Sequence, residues 1–161
     1  VPQRPAGGEP AAPSGGSRRT DWSPGARARC AWWFFQGVAA GPGKPFGVWT
    51  EGDRTIFALP GNPVSTIVGA TRWVVPFLQA RTSGVWPTPR KIIPAPSVEN
   101  RTKMTRLQPV RLIEGNQAEP VKIRNSGDFA NLVTTNGILE IPPNCGKIEP
   151  STPLPYFSWT L

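Results

Sequence analysis

Proline and glycine limit what this chain can fold into more than any other feature. Its 161 residues include 21 prolines and 17 glycines. Proline removes a backbone N–H donor and disrupts helix interiors, and glycine favours turns. We therefore expect short strands and turns and no long helices. Hydrophobic residues make up 38% of the chain, which is low for a compact globule but well above a disordered chain.

The charge and the missing residue types exclude several classes of function. The net charge of +8 attracts phosphates, nucleic acids or anionic surfaces, unless much of it lies in a solvated tail. The chain has no histidine, which excludes a histidine-based catalytic triad or metal site. Cys30 and Cys145 show no CxxC spacing and are expected to be free thiols of a cytoplasmic protein. No apolar run is long enough to predict a transmembrane helix or a signal peptide.

Composition divides the chain into four regions. Pro, Gly, Ala and Arg supply 20 of residues 1–30, so we expect a disordered tail there or, alternatively, a mis-framed translation. Residues 31–81 have the pattern of a coherent α/β unit. Residues 82–90 are a linker by composition. Residues 91–161 hold many short β-prone runs, which predict a small all-β, barrel-like or sandwich domain.

The α/β unit is predicted in some detail. Apolar runs at 32–38, 46–50 and 55–59 predict strands. Asn62 is a suitable N-cap, and Pro63 suits the first position of the helix that follows.

That helix is expected to be amphipathic and short. Pro76 should kink or interrupt it after about three turns, and Arg72 should lie off the apolar face. The face at spacings of three and four consists of Ile67, Val68, Thr71, Val74, Val75 and Leu78.

In the β region, turn residues separate the predicted strands. Glu114-Gly115-Asn116 and Asn136-Gly137 predict turns, and a helical turn through Val133 should be capped by Ser126 or Asp128. The predicted strands are Lys91–Ile93, Val110–Ile113, Val121–Ile123, Gly137–Ile141 and Tyr156–Thr160.

The chemistry of the chain concentrates in two proline-glycine segments. In Leu59–Ser65, Gly61 permits close approach of a ligand to the backbone, and the helix that follows presents free N–H groups that favour an oxyanion. Ser65 adds a hydroxyl donor. Upstream, Lys44 lies in the rigid loop Gly41–Pro45 and adds positive charge. The alternative is an ordinary strand–turn–helix connection beside a tight turn.

These two segments resemble a known family. Residues 35–45 (FQGVAAGPGKP) and 57–65 (FALPGNPVS) are similar to the signature of the molybdopterin molybdenumtransferase family, of the MoeA and gephyrin E-domain type. Residues 105–111 resemble the Gly-Arg…Phe-x-Arg segment of that family's C-terminal β domain. Weaker matches to the same domain are Ser126-Gly127-Asp128, Asn136-Gly137-Ile138 and Ile141-Pro142.

The resemblance implies a specific reaction. Family members insert molybdate into adenylylated molybdopterin and release AMP, with the help of Mg²⁺, and they are homodimers whose site is completed across subunits. The resemblance implies no membrane partner. It assigns the α/β side of the substrate site to Lys44, Pro60, Gly61, Asn62, Pro63 and Ser65, and the β-domain side to Arg106, Arg111 and Ser126.

The sequence also departs from the family pattern. Gly41 stands where the family has a second basic residue, and residues 1–30 do not match the family's Mg²⁺-binding Asp motif, so no metal ligand is assigned. Asp53 and Asp128 are interpreted as turn and cap residues. We therefore expect a truncated molybdotransferase. The alternatives are a non-catalytic scaffold fragment or a basic nucleic-acid-binding module, which the lack of aromatic and basic interleaving disfavours.

Overall fold

The computed structural model describes residues 32–125 and 127–159. The predictions for residues 1–30, including Cys30, lie outside this range, as does Ser126. The helices are α1 (Pro63–Gly69), a π-helical segment (Ala70–Val74), α2 (Val75–Ser83) and α3 (Phe129–Leu132). The strands are β1 (Trp32–Gln36), β2 (Ala40–Gly41), β3 (Gly47–Glu51), β4 (Arg54–Ala58), β5 (Arg90–Pro94), β6 (Val98–Asn100), β7 (Thr105–Ile113), β8 (Gln117–Pro120), β9 (Gly137–Ile141), β10 (Gly146–Ile148) and β11 (Leu154–Ser158).

The first unit is a three-stranded antiparallel sheet with a helix. The sheet order is β1-β3-β4, and its three members match the predicted strands to within a few residues. Phe46 is fully buried and stacks at 4.7 Å from Trp73 and at 6.0 Å from Phe57. These aromatic contacts fix the helix against the sheet.

The helix is longer than predicted. It begins at Pro63, where the Asn62 side chain accepts from Ser65 N–H, and it continues without a break to Ser83. The expectation of no long helix was wrong. The kink or interruption expected at Pro76 takes the form of the π-helical segment Ala70–Val74 directly before the proline, after which the helix resumes as α2. The π-helical turn widens the backbone immediately before Pro76, so the proline ring avoids the carbonyl group one α-helical turn back.

This π turn also shifts the buried face. Val68 and Thr71 are buried as predicted, but Ile67 and Leu78 are 37% and 54% exposed. A wider turn changes the rotational phase of Leu78 and of every other residue after it, so a constant spacing of three and four does not describe the whole helix. Ile67 lies before the turn, in α1, so the turn does not account for its exposure.

The second unit is a closed five-stranded barrel. Its strands follow the order β7-β8-β5-β11-β9, and pairing of β7 with β9 closes it. The fold class of an α/β unit followed by a small β-barrel is confirmed. The domain boundaries remain a prediction. The barrel core consists of Ile92, Val98, Val110, Ala118, Leu139, Ile141, Leu154 and Tyr156.

Two local features close the barrel. Asn136 accepts through its main-chain oxygen from the Tyr156 hydroxyl at 2.8 Å and from Trp159 N–H at 3.0 Å. At Gly137, an added Cβ would lie 2.2 Å from the Phe157 carbonyl oxygen. Only glycine allows the strands to approach this closely. Asn136-Gly137, predicted as a turn, is therefore the start of β9 and the point where β9 meets β11.

Other β-region predictions had mixed outcomes. A hairpin turn at Gly115 and Asn116 and an Asp128 cap on α3 are confirmed. The strand predicted at 121–123 was wrong: β8 ends at Pro120, because the next pair would join Val121 to Pro109, which has no N–H to return the second ladder bond.

The helix and barrel pack directly on each other. A buried cluster includes Val64 and Val68 from α1 and Leu107 and Ile138 from the barrel. Arg72, predicted to lie off the apolar face, is half-buried and donates to Glu140 of β9 at 2.5 Å. Strand β2 adds to the outside of β7 in parallel. The two proline-glycine segments are therefore held beside the barrel.

Candidate functional site

A cleft of about 540 Å³ opens where the α/β unit meets the edge of β7. Strand β2 pairs with β7 only at Thr105 and Arg106, and β8 begins to pair at Val110. The cleft occupies the gap between these two partners. Its lining is Gly41, Pro42, Asn62, Val64, Ser65, Arg106, Leu107, Gln108, Pro109, Pro120, Lys122, Ile123 and Asn125.

The first wall is formed by the two proline-glycine segments. Asn62 Oδ1 accepts from Ser65 N–H at 3.2 Å, and Asn62 main-chain oxygen accepts from Thr66 N–H at 2.8 Å. Pro63 has no N–H. Within the part of the chain that the structure describes, Val64 N–H is thus the first-turn donor left for a ligand. The Ser65 hydroxyl is likewise without a hydrogen bond among the described residues.

The second wall is the edge of β7. Arg106 donates through Nη1 to the Glu99 carbonyl oxygen at 3.2 Å and through Nη2 to Gln108 Oε1. Gln108 is buried, and its amide nitrogen donates to Val121 and Pro109 carbonyl oxygens at 2.8 and 2.9 Å. The guanidinium of Arg106 is therefore held in a fixed direction beside the cleft.

The segment 121–125 follows β8 and completes this wall. Lys122, Ile123 and Asn125 line the cleft, and Lys122 is exposed. Arg106 and Lys122 are the charged residues of the described lining, and both are cations. An anion in the cleft therefore meets two positive charges and no carboxylate from the described lining.

The structure brings three of the predicted site residues together. Asn62, Ser65 and Arg106 line the cleft. Pro60, Gly61 and Pro63 belong to the same turn and lie outside the lining. Lys44 also lies outside it and is exposed. Ser126 falls outside the described residues.

Arg111 has a different environment from Arg106. It pairs with Glu119 of the neighbouring strand at 2.6 Å and does not line the cleft. These placements leave its assignment, like the other site assignments, a prediction.

Sequence reasoning missed several lining residues. Gln108 lies in the family-like segment 105–111 but was not assigned to the site, and Lys122 belongs to no motif; their position follows from the pairing of β7 with β8. The sequence feature that could have indicated this part of the lining is Gln108 itself, a polar residue between apolar residues of a strand.

A metal ion is not supported by the described residues. Across 32–125 and 127–159, no group of three or more His, Cys, Asp or Glu side chains is placed to hold one. The residues present therefore do not fit a magnesium site, and we derive no chemical step through Mg²⁺ from them.

Fold and cleft together define a small β-barrel domain with a cleft, lined by two cationic residues, against an α/β segment. Residues 95–157 match the sequence model of the MoeA C-terminal region (domain IV). The resemblance to the C-terminal portion of the MoeA-type molybdopterin molybdenumtransferase family is thus confirmed.

Individual relatives agree with this result. The chain is 30% identical over 136 residues to the molybdopterin molybdenumtransferase of Synechocystis, covering 78% of this chain and 31% of that protein. The crystal structure of a molybdopterin biosynthesis MoeA protein from Pyrococcus horikoshii matches with a TM-score of 0.64 at 25% identity, over 80% of this chain and 32% of that chain. A molybdenum cofactor biosynthesis protein from Pyrococcus furiosus shares the fold, with a TM-score of 0.61, 20% identity and coverage of 78% and 45%.

The chain spans about a third of the length of the Synechocystis relative. Among the described residues, no helix is both long and apolar enough to cross a membrane.

Proposed function

We propose that the cleft binds the phosphate-bearing end of molybdopterin and that the chain acts in molybdenum cofactor biosynthesis. In this proposal the chain supplies the C-terminal part of a molybdopterin molybdotransferase. The observation that carries it is the meeting of Asn62 and Ser65 from the family-like turn with Arg106 and Lys122 from the barrel in one cleft.

The residues have distinct roles in binding. Arg106 and Lys122 attract the phosphate or molybdate oxygens, and Arg106 has further N–H groups besides those that donate to Glu99 and Gln108. Ser65 hydroxyl and Val64 N–H donate hydrogen bonds from the opposite wall. Asn62 holds the turn in place through the helix cap.

The proposed reaction is the insertion of molybdate into adenylylated molybdopterin with release of AMP. Both substrates are anionic, which suits a cleft whose described charged residues are cations. Any Mg²⁺ that the reaction needs would be held by carboxylates outside the described residues or on the second subunit of a homodimer. We assign the reaction to the cytoplasm. The described residues contribute binding and orientation of the substrate.

Binding of molybdopterin tests the proposal directly. We expect saturable quenching of tryptophan fluorescence when molybdopterin is added to the full chain, and much weaker binding of the dephosphorylated pterin. Equal binding of the two compounds would contradict a phosphate site. Salt-sensitive binding of single-stranded RNA without molybdopterin binding would instead favour the nucleic-acid alternative. Binding of neither would favour the scaffold alternative.

Gly41 offers a gain-of-function test. A Cβ at this position would meet only Met104 Cε, at an ordinary 3.6 Å, and its φ is not in the left-handed region. Gly41→Lys therefore places a third cation at the cleft without backbone strain. We expect tighter molybdopterin binding by about 1 kcal/mol, as for one added charged hydrogen bond. Gly41→Met is the uncharged control of similar length and should not tighten binding.

A further inference from the structure

Gln108 occupies an unusual place in the barrel. Val110 of β7 pairs with Pro120 of β8, so the next antiparallel pair along the strands is Pro109 with Val121. Val121 N–H donates to the Pro109 carbonyl oxygen at 2.9 Å. A hydrogen-bonded antiparallel pair normally exchanges two such bonds, but Pro109 has no N–H to return the second.

The side chain of Gln108 supplies that missing donor. Its Nε2 donates to the Val121 carbonyl oxygen at 2.8 Å and also to the Pro109 carbonyl oxygen at 2.9 Å. Val121 is thereby bonded to β7 at both its N–H and its carbonyl group. The next residue, Lys122, enters the cleft from this anchored position.

The other end of the same amide holds Arg106. Gln108 Oε1 accepts from Arg106 Nη2, while Arg106 Nη1 donates to the Glu99 carbonyl oxygen. The amide can face only one way, since the reversed orientation would set its NH₂ against the guanidinium and its oxygen against two carbonyl oxygens. Gln108 is only 5% exposed, so solvent competes little with these bonds.

We propose that Gln108 is a positioning residue that sets both cations of the cleft. One amide fixes the guanidinium of Arg106 and, through Val121, the backbone that carries Lys122. The identity of the ligand rests on the function proposed above, whereas the mechanical coupling does not.

Three variants of the full chain test the coupling. Gln108→Met removes both functions of the amide at similar size. Pro109→Ala returns a backbone N–H that can donate to the Val121 carbonyl oxygen, and the double variant Gln108→Met/Pro109→Ala therefore repairs one function and not the other. Gln79→Met, on the exposed side of α2, is the matched control. The readouts are amide exchange at Lys122 and Ile123, ¹⁵N relaxation of Arg106 Nε and the Kd for molybdopterin.

The expected pattern is specific to positioning. Gln108→Met should speed amide exchange in the 121–125 segment, mobilise Arg106 and weaken molybdopterin binding by about tenfold, as for misplaced charged hydrogen bonds. The double variant should restore slow exchange while Arg106 stays mobile, with an intermediate Kd. A Gln108→Met variant with unchanged exchange and unchanged Arg106 relaxation would overturn the proposal, as would a double variant that restores neither or both.

Two complications have their own tests: a Gln108→Met variant that does not fold, and a chain that does not bind molybdopterin. If Gln108→Met does not fold, Gln108→Glu carries the test, because it keeps an acceptor for Arg106 and loses the donor to Val121. In Gln108→Glu, fast amide exchange in segment 121–125 together with an ordered Arg106 supports the proposal. Slow exchange in that segment together with a mobile Arg106 overturns it. If the unmodified chain does not bind molybdopterin while the exchange and relaxation readouts change as expected, the proposed function fails and the coupling stands.

Discussion

The two walls of the cleft differ in what they contribute. The wall of residues 41–65 carries the recognisable motifs, yet Asn62 uses its side-chain and main-chain oxygens to satisfy the first turn of the helix. The wall from β7 and segment 121–125 carries weak motifs but holds Arg106 and Lys122. Residues 41–65, the motif wall, therefore mainly give the cleft its shape. Strand β7 and segment 121–125, the barrel wall, give it its positive charge.

The largest expected effect comes from disrupting the barrel that supports the second wall, at Gly137 of β9. An alanine Cβ would lie 2.2 Å from the Phe157 carbonyl oxygen and 2.7 Å from the Tyr156 ring, so backbone must move. Gly137→Ala should lower the free energy of unfolding by about 3 kcal/mol or prevent folding. Urea unfolding followed by circular dichroism measures it. Gly127→Ala, with its nearest contact at an ordinary 3.6 Å, should change little.

The next largest effect is the difference in molybdopterin affinity between a substitution in the barrel wall and one in the motif wall. Arg106→Ala should weaken molybdopterin binding by about 1.5 to 3 kcal/mol, because it removes a charged donor from the lining. Lys44→Ala should weaken it less, because Lys44 is exposed and outside the lining. Both are measured by fluorescence titration. A larger loss for Lys44→Ala would reverse the assignment of charge to the barrel wall.

Substitutions in the motif wall, formed by residues 41–65, should change the free energy of unfolding more than the affinity for molybdopterin. Asn62→Ala removes the acceptor for Ser65 N–H and should lower the free energy of unfolding by about 1 kcal/mol. Asn62→Ser keeps a capping oxygen and should recover most of the loss. Thermal unfolding of the two variants decides this; equal destabilisation by both would mean that the cap does not carry the effect.

The smallest expected effect is electrostatic. Hydrogen bonds from Arg124 N–H and the Asn131 side chain lower the pKa of Asp128 below its ordinary 3.8. Because the folded-state pKa is the lower one, this stabilisation is present above about pH 4 and is lost as the pH falls through the folded-state pKa. Asp128→Asn should therefore flatten the dependence of unfolding free energy on pH between pH 2 and 5. If Asp128→Asn leaves the dependence of the unfolding free energy on pH unchanged between pH 2 and 5, Asp128 is not the group that causes that dependence.

Local chemistry made several elements predictable. The cap at Asn62, the proline at the first helical position and the glycine turn at Gly115 each act within a few residues, and all three lie where the sequence indicates. Strand β9 was also predicted with its exact ends, since a regular apolar run follows Gly137.

The remaining features depend on contacts between distant residues. Residues of the π-helical turn contact both units, Trp73 through Phe46 and Arg72 through Glu140, and no local pattern contains these contacts. The burial of Arg72 depends on Glu140, 68 residues away. Lys122 enters the cleft only because β7 and β8 pair in one register. The hydrophobic periodicity of a sequence predicts individual helices and strands, but it does not predict which distant strands or side chains pair.

The π-helical turn gives this helix one residue more than an unbroken α-helix would need to span the same rotation. Deleting one residue from Ala70–Val74 would convert the segment to α-helix, and the residues after it would keep nearly the same orientation relative to α1, because four α-helical residues turn the chain about as far as five π-helical ones. The proline ring would then press on the carbonyl group one α-helical turn before it. A single-residue deletion in this segment should therefore destabilise the molecule through the steric clash at Pro76, and not through a rotation of α2.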